Sequence, residues 1–364
     1  MNFIDKKVNF IVQLKKWFEK HERKLPWRET TTPYKIWLSE IILQQTRVAQ
    51  GLDYYLKFIK HYPSVKDLAN ATEEEVLKDW QGLGYYSRAR NLHSTAKHIT
   101  FDLQGNFPTS YTEILKLKGV GEYTAAAIAS FSYNLPHAVV DGNVYRVLSR
   151  IFGIENPIDS TNGKKIFKDL ANKLLDHKDP ATYNQAIMEF GALQCTPKNP
   201  NCNECPLQNN CYAFNKKQID LLPVKEKKVK QKVRFLNYLI FEDENNIAVN
   251  HRKNKGIWQN LYDFPMVETV KEINKNELLK ASLFKELVLD AKLSFLAASD
   301  IRKHILSHQI LRAKFFHFRM VDFSILERNE FQIISKQKLK DLPIPKLIEN
   351  YLKQETNLLS LLSS

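Results

Sequence analysis

The sequence of 364 residues contains little cysteine, and all of it lies in one place. Its four cysteines are Cys195, Cys202, Cys205 and Cys211. The N-terminal stretch MNFIDKKVNFIVQLKKW lacks the long apolar run of a signal peptide or a membrane span. We therefore expect a cytoplasmic protein without membrane association. Because that compartment is reducing, disulfide bonds are not the expected role of these thiols.

The spacing of the cysteines predicts a metal centre. Six, two and five residues separate them in the stretch CTPKNPNCNECPLQNNC, which is rich in Asn and Pro and has no apolar period. Such a segment is typical of a loop wrapped around a metal. Zinc sites of the four-cysteine kind usually pair two Cys-x-x-Cys units, whereas only Cys202 and Cys205 form one here. The spacing alone leaves zinc and an iron-sulfur cluster equally open.

The sequence also lacks internal repeats and low-complexity tracts. The class of protein is therefore judged from composition and charge. With 43% hydrophobic residues, the chain can bury a sizeable core and form two or more domains. The net charge is +14 and is spread along the chain, since residues 1–220 carry 29 basic and 23 acidic side chains. A spread basic excess suits a protein that surrounds a polyanion, although many soluble proteins are mildly basic.

The pattern of apolar residues changes once along the chain. Up to about residue 215, apolar residues recur at helical spacing, as in YKIWLSEIILQQTRVAQ and YTAAAIASFSY. The lysine-rich stretch LLPVKEKKVKQK then marks a linker or an exposed basic edge. Beyond it, VRFLNYLIF, NIAVNHR and AKFFHFRMV have the composition of β-strands, and EDENN forms a turn between the first two. We predict a mainly helical domain at 1–222, a basic linker at 223–232 and an α+β domain at 233–364.

The stretch LKLKGVGEYTAAA at residues 115–127 predicts two helices joined by a tight turn. A capping box in SYTE, residues 110–113, opens a helix that ends around Lys118, and the next helix begins directly after Gly121. Gly119 and Gly121 then allow backbone amides to approach a phosphate closely, at the positive end of the second helix. An ordinary helix-helix turn with a glycine cap is the simpler reading of this pattern alone.

Asp141 precedes the helical pattern of VVDGNVYRVLSR and occupies an N-cap position. In the simplest interpretation, its carboxylate does nothing more than cap this helix. The cap also favours a second role, because amide hydrogen bonds at a helix N-terminus tend to keep a carboxylate ionised. A persistent anion can stabilise a cationic transition state.

Glu40 lies in YKIWLSEIIL on one helical face with Ile36, Trp37 and Leu43. Apolar surroundings favour the protonated carboxyl, which could then act as a general acid at neutral pH. The alternative is that Glu40 points to solvent at the edge of this face. A proton-favouring carboxyl combined with a charge-favouring one, such as Asp141, is the arrangement that cleaves glycosidic bonds.

These motifs together resemble the helix-hairpin-helix DNA glycosylases that carry an iron-sulfur cluster. The resemblance rests on LKGVGEYTA, on the Asp of VDGNVYRVLSR about twenty residues later, and on the four-cysteine spacing. It implies that the four cysteines are ligands of a [4Fe-4S] cluster, whose role in the family is structural and DNA-facing.

Two branches of this family differ at the hairpin. The endonuclease III type has there a lysine that attacks the sugar and allows strand cleavage, whereas this sequence has Tyr123. It therefore resembles the monofunctional adenine DNA glycosylases of the MutY type. The matching stretches are LPWR at 25–28, SEIILQQTRV at 39–48, GLGYYSRARNL at 82–92, GIWQNLYDFP at 256–265 and LSHQ at 306–309.

This resemblance implies an enzyme that hydrolyses the glycosidic bond of adenine opposite 8-oxoguanine or guanine in duplex DNA. It further implies a monomer in the bacterial cytoplasm that associates with the nucleoid when on DNA. A bifunctional glycosylase and lyase for oxidised pyrimidines is an alternative that Tyr123 disfavours. A non-catalytic DNA-binding module that scans duplexes is another.

Carried over position by position, the resemblance implies roles at the reacting bond. Glu40 would protonate the leaving adenine and then position water, and Asp141 would stabilise the sugar cation. Tyr123 and Asn143 would shape the site. Arg28 would contact the flipped adenine.

Further positions of the resemblance concern DNA and the opposite base. Gln45 and Tyr85 would enter the base stack, as an enzyme must do to extrude a base. Ser307 and His308 would read 8-oxoguanine, beside Leu306 where many family members have Phe. The second domain resembles the Nudix fold, but KNELLKASLFKELVLD lacks the glutamate pattern of a Nudix hydrolase. We expect a recognition role for it and no nucleotide hydrolysis.

Overall fold

The computed structural model describes residues 3–226, 231–289 and 291–354, and its contacts divide the chain into two compact units. The first holds the described residues up to Asn70 and those from Ser94 to Glu226. The second holds Ala71–His93 together with the described residues from Gln231 onward. The predicted linker at 223–232 lies partly outside the described residues, at 227–230. The sequence prediction placed residues 71–93 in the helical domain, whereas this segment groups by its contacts with the second unit.

Helices make up the chain before the linker, as predicted from the apolar spacing. They are α1 Phe3–His21, α2 Pro33–Leu43, α3 Val48–His61, α4 Val65–Asn70, α5 Glu73–Asp79, α6 Ser87–Lys97, α7 Tyr111–Ile114, α8 Glu122–Tyr133, α9 Gly142–Phe152, α10 Thr161–Leu174, α11 Pro180–Leu193 and α12 Tyr212–Asn215. A π-helical turn follows α6 at His98–Asp102, and short 3-10 turns occur at Cys202–Glu204 and Gln208–Asn210. Within the described ranges, no helix is long and apolar enough to cross a membrane.

The helix ends that carry the site follow local chemistry. Pro33 opens α2, where its missing N–H is not needed. Asp141 caps α9 as predicted, because its side chain accepts the Val144 N–H. α8 begins at Glu122 as predicted, but α7 ends at Ile114, earlier than the predicted end near residue 118. Beyond α7, the amides bond three residues back, which tightens the chain into a turn.

One hydrophobic core of the first unit joins α1, α9, α10 and α11 to the cysteine loop. Its buried members include Leu14, Trp17, Val147, Leu148, Phe167, Ala186, Ile187, Phe190 and Cys211. Cys195 and Cys205 pack against the same cluster from its edge. The metal loop and the helix that Asp141 caps are therefore built on a shared core.

Among its described residues after the linker, the second unit contains one mixed sheet and four α-helices. The strands are β1 Lys232–Glu242, β2 Asn246–His251, β3 Tyr262–Asp263, β4 Met266–Thr269, β5 Leu293–Ala298, β6 Arg302–Ile305, β7 Gln309–Met320 and β8 Gln332–Ser335. The helices are α13 Lys275–Lys280, α14 Ser282–Val288, α15 Ser324–Arg328 and α16 Lys346–Gln354. The three predicted strands correspond to β1, β2 and β7, and the α+β class is confirmed.

The sheet is organised around β1 and β7. These two strands run parallel and in register from Lys232 opposite Gln309 to Glu242 opposite Arg319. The other strands pair antiparallel, with β2 and β4 against β1, β5 and β6 against β7, and β3 and β8 against β2. The β6–β7 connection places Ser307 and His308 at the tip of a hairpin.

The segment 71–93 is held to the second unit by hydrogen bonds. The carboxylates of Glu73 and Glu74 on α5 accept hydrogen bonds from Asn260 and Tyr262, respectively. The Lys78 ammonium donates to the carbonyl groups of Lys340 and Leu342. Polar contacts along α5 thus fix a helix that is distant in sequence from the sheet.

Tyr351 on α16 packs against the face of the sheet that lies opposite α13 and α14. Its ring stacks on Phe315 with centroids 3.6 Å apart, and its hydroxyl bonds to the buried His317 ring. The other ring nitrogen of His317 bonds to Glu242. The Tyr351 side chain therefore stabilises the contact between α16 and the sheet both by stacking and by hydrogen bonding.

We expect Tyr351→Phe to lower the free energy of unfolding of the second unit by about 1–2 kcal/mol, because it leaves one buried imidazole nitrogen without its partner. Tyr351→Ala should cost about 3–5 kcal/mol, because it also leaves a cavity. Denaturant unfolding monitored by circular dichroism measures both variants. Equal losses in the two would contradict the packing role of the ring.

Candidate active site and metal centre

An open cleft in the first unit brings the predicted carboxylates together. About 840 Å³ of empty space, part of it open to solvent, lies between α2, α8, α9, α11 and the loop after α1. The lining side chains are Arg23, Leu25, Trp27, Arg28, Ile36, Ser39, Glu40, Leu43, Thr46, Val48, Tyr123, Phe131, Asp141, Asn143, Gln185, Met188, Glu189 and Ala192. All five residues predicted to act near the base, Arg28, Glu40, Tyr123, Asp141 and Asn143, are among them.

Glu40 is buried in this cleft, with 7% of its surface exposed, so the solvent-facing alternative is wrong. Burial is the largest effect on its carboxyl and raises the pKa of Glu40 to about 7. A hydrogen bond from Tyr123 lowers this pKa, the charge of Asp141 raises it and Arg28 lowers it. The group can therefore hold a proton at neutral pH and also release it.

Asp141 accepts two hydrogen bonds of 2.8 Å, from the backbone N–H of Val144 and from the side-chain amide of Asn143. These bonds and the charge of Arg146 lower the pKa of Asp141. Burial nevertheless raises the pKa of Asp141 above its usual value. The predicted hydrogen bonds are present, and desolvation, which is the larger effect on the pKa, opposes the preference that they give to the charged form.

Arg146 connects Asp141 to the cysteine loop. Its guanidinium donates to the Asn143 side-chain oxygen at 2.9 Å, the Gly191 carbonyl at 2.6 Å and the Cys195 carbonyl at 2.7 Å. Asn143 in turn donates to Asp141. A continuous chain of hydrogen bonds therefore runs from the first cysteine of the loop to the aspartate.

Glu189 is a site residue that the sequence reading missed. It is 1% exposed and accepts hydrogen bonds from Arg23 and Arg28. Burial alone would raise its pKa, but these hydrogen bonds and the Arg28 charge lower the pKa of Glu189 to about 2. The signal that could have revealed it is the one used for Glu40, an acidic residue among apolar neighbours, here in AIMEFGAL.

Gln45 and Tyr85, predicted to enter the base stack, share an uncommon backbone conformation. Their φ angles are +57° and +50°, in the left-handed region that residues other than glycine rarely adopt. Such conformations concentrate at functional sites. Gln45 is exposed in the connection between α2 and α3, and Tyr85 is 49% exposed before α6.

The structure of the second unit places Tyr85 beside the predicted lesion-reading hairpin. The Tyr85 hydroxyl and the Ser307 hydroxyl form a hydrogen bond. Ser307 and His308 are both exposed. The strongly exposed aliphatic side chain of this hairpin is Ile305, at 61%, whereas Leu306 is only partly exposed.

The predicted glycine turn presents its backbone to open space. Gly119 has a φ of +80°, which favours glycine, and Gly121 is the N-cap of α8. A Cβ atom built on Gly121 would meet nothing within 4 Å. The N-terminus of α8 can therefore be approached by a ligand such as a phosphate.

The four cysteines surround a small cavity of about 330 Å³ in the first unit. Apolar side chains complete its wall, among them Ile151, Phe190 and Phe214. Burial raises the pKa of the Cys205 thiol to about 12, so a thiolate there requires a nearby positive charge such as a metal. Within the described ranges, no group of three or more Cys, His, Asp or Glu is arranged to hold a single metal ion.

The fully buried Arg150 holds the cysteine loop in place. Its guanidinium donates to the carbonyl groups of Thr196, Pro197, Ile219 and Leu222 and contacts the Cys195 sulfur at 3.5 Å. The donor set of four thiols and this supporting shell fit a bound iron-sulfur group.

Three segments of the chain match models of known protein families. Residues 38–174 match the HhH-GPD superfamily of base excision DNA repair proteins, and residues 237–354 match a NUDIX domain. Residues 195–211 match the iron-sulfur binding domain of endonuclease III. This last match decides between zinc and iron-sulfur, and the cofactor is a [4Fe-4S] cluster.

The sequences of curated relatives show which family the chain belongs to. The adenine DNA glycosylase of Buchnera aphidicola subsp. Baizongia pistaciae is 41% identical over 270 residues, 72% of this chain and 74% of that protein. The chain belongs to the adenine DNA glycosylase family. The Schizosaccharomyces pombe member is 28% identical over 94% of this chain and 88% of its own. The family resemblance predicted from the sequence is confirmed.

Among solved structures, a thermostable thymine-DNA glycosylase matches with a TM-score of 0.55 and 30% identity. The match covers 58% of this chain and 98% of that one. The helical fold predicted from the hairpin and cysteine motifs is therefore confirmed.

We expect Tyr123→Phe to raise the pKa of Glu40 above the value of about 7, because the variant removes a hydrogen bond that favours the carboxylate. The fraction of protonated Glu40 at pH 7 should therefore increase. Infrared difference spectroscopy of the carboxylic acid band as a function of pH measures this, with Glu40→Gln identifying the band. A midpoint that stays in place or falls would contradict the assigned hydrogen bond.

We expect Arg150→Lys to lower the iron content per chain and the stability of the first unit. Lysine cannot reach all of the carbonyl groups, and each buried carbonyl left without a donor costs about 1–3 kcal/mol. Iron analysis, visible absorbance and thermal melting measure the effect, with exposed Arg47→Lys as a matched control. Wild-type iron content and melting in Arg150→Lys would refute this role.

Proposed function

We propose that the chain is a monofunctional base excision glycosylase that removes adenine mispaired with 8-oxoguanine or guanine from duplex DNA. We further propose that it acts as a monomer in the bacterial cytoplasm. The observation that carries the proposal is the buried Glu40, whose pKa is about 7, in a cleft that also contains Asp141. Two carboxyl groups in different environments are what glycosidic bond cleavage requires.

In the proposed reaction, Glu40 donates its proton to a ring nitrogen of the extruded adenine. The bond between the sugar and the base then breaks, and its electron pair leaves with the base. Asp141 stabilises the positive charge that develops on the sugar. The Glu40 carboxylate next positions a water molecule and takes up a proton as the water adds to the sugar. Tyr123 and Asn143 hold the two carboxyl groups through the hydrogen bonds described above.

The absence of a suitable amine supports hydrolysis over lyase chemistry. Strand cleavage through a Schiff base needs a lysine beside the sugar. The described side chains that line the cleft include two arginines and no lysine, and the hairpin position carries Tyr123. The proposed product is an abasic site in an intact strand.

The polar wall of the cleft suits adenine. Glu189 carries a negative charge at neutral pH and can accept hydrogen bonds from an exocyclic amine, while Arg28 can donate to ring nitrogens. Gln185 adds an amide with both a donor and an acceptor. We therefore assign Arg28 to base recognition, with Glu189 as its partner.

We assign the remaining predicted residues to DNA recognition and to the cluster. Gln45 and Tyr85 enter the base stack, and Ser307 and His308 read the base opposite adenine. The amides at Gly119 and Gly121 bind the DNA backbone. The cluster ligands are Cys195, Cys202, Cys205 and Cys211. The cluster holds its loop in shape and takes no part in bond cleavage.

A single-turnover assay tests the proposal. End-labelled duplexes carry adenine opposite 8-oxoguanine, guanine or thymine, and each is analysed with and without alkali. We expect cleavage chiefly after alkali and fastest opposite 8-oxoguanine. Glu40→Gln should lower the rate by roughly 10²–10⁴-fold, because it removes the general acid, and should bind the lesion duplex nearly as well as the wild type.

Other outcomes separate the alternatives. Equal cleavage without alkali would indicate a lyase nucleophile. Unchanged activity in Glu40→Gln would refute the acid role. Binding without base release from any of the duplexes, or from duplexes with oxidised pyrimidines, would support a DNA-binding module.

A further inference from the structure

A second cleft lies on the other side of Tyr123 in the first unit. It contains about 1530 Å³ of empty space, part of it open to solvent. We propose that this cleft binds phosphate groups of the target strand directly beside the nucleotide that loses its base. The inference rests on the proposed function and adds a binding site to it.

The position of the cleft ties it to the reacting nucleotide. Tyr123 lines both this cleft and the one that holds Glu40. Val140, which directly precedes Asp141, also lines it. Phosphates beside the extruded nucleotide are covalently joined to it, so they lie close to the first cleft, and the shared wall at Tyr123 brings the second cleft within their reach.

The charge of the cleft fits a phosphate backbone. Its lining side chains include Lys164, Lys165 and Lys168 from α10, and the one acidic residue among them is Glu122. All three lysines are exposed, so they can reach a ligand without losing buried contacts. Lysine contacts to phosphate supply most of the sequence-independent affinity of DNA-binding proteins.

Two helix N-termini contribute to the same cleft. Tyr123 lies in the first turn of α8, and Thr161 is the first residue of α10. The helices are 12 and 14 residues long, and each carries partial positive charge at its N-terminus. Together with the three lysines, they give the cleft a second, independent source of attraction for an anion.

The lining of the cleft also contains aromatic rings. The Tyr111 and His137 rings stack with centroids 4.3 Å apart, and Tyr145 lies near them in the lining. Tyrosine hydroxyl groups commonly donate to DNA phosphates, and flat rings pack against deoxyribose. Lysines and aromatic rings in one lining suit a sugar-phosphate chain better than a free small anion.

Glu122 limits the affinity of this cleft in the free protein. It forms an ion pair of 2.9 Å with Lys168, in which the two side chains are 67% and 52% exposed, respectively. Exposed pairs of this kind contribute little stability. An incoming phosphate can therefore take Lys168 from Glu122, but the carboxylate at the start of α8 repels that phosphate.

Equilibrium binding to a duplex with an uncleavable abasic-site analogue opposite 8-oxoguanine tests the inference. We expect Lys164→Glu/Lys165→Glu to weaken binding at least tenfold at physiological salt. The slope of log affinity against log salt should fall by about 2, one for each lost phosphate contact. Glu122→Gln should instead tighten binding several-fold, an effect that misfolding cannot mimic.

The matched control is Lys173→Glu/Lys178→Glu, which makes the same charge change at exposed lysines outside the cleft lining. Equal losses in the two double variants, or no gain in Glu122→Gln, would overturn the inference. The wild-type glycosylase assay described above is independent of these variants. An active wild type with an inert cleft would refute this inference alone, whereas a wild type without base release would refute the proposed function.

Discussion

The desolvation of Glu40 is the constraint on which the site depends. A carboxyl group amid Ile36, Trp37 and Ile41 on a buried helix loses the water that stabilises its charge, so its pKa rises to about 7. Tyr123 and Arg28 oppose this effect only in part. The result is a group balanced between its two protonation states, which an acid that later positions water requires. The apolar residues of α2 thus set the chemistry as much as the glutamate does.

Buried and partly buried arginines hold many of the groups around that carboxyl. Arg28 and Arg23 keep Glu189 charged in the interior, while Arg146 links Asn143 to the cysteine loop and Arg150 holds the loop itself. The guanidinium groups of Arg28, Arg146 and Arg150 each donate to two or more carbonyl or carboxylate groups through their fixed fork of N–H donors. Because α9 supplies Arg146 and Arg150 and is capped by Asp141, the metal loop and this aspartate share one structural support.

The second unit shows how a segment can serve a different part of the fold from its sequence neighbours. Ala71–His93 lies within the stretch that matches the glycosylase family, yet it groups by its contacts with the second unit. Hydrogen bonds from Lys78, Asn260 and Tyr262 fix this segment. Tyr85 is thereby placed against Ser307, so a residue expected to enter the DNA stack meets a residue expected to read a base.

The sequence by itself determined the local features. Short-range patterns predict three kinds of feature. These are the helix starts marked by Pro33, Asp141 and Glu122, the strands around Phe235 and Phe315, and the cysteine loop. Tertiary structure alone decided the net pKa direction of Asp141, the burial of Glu189 between two arginines and the partners of Ala71–His93. The reason is physical: caps, turns and periodicity depend on residues a few positions apart, whereas desolvation and ion pairing depend on side chains brought together by folding.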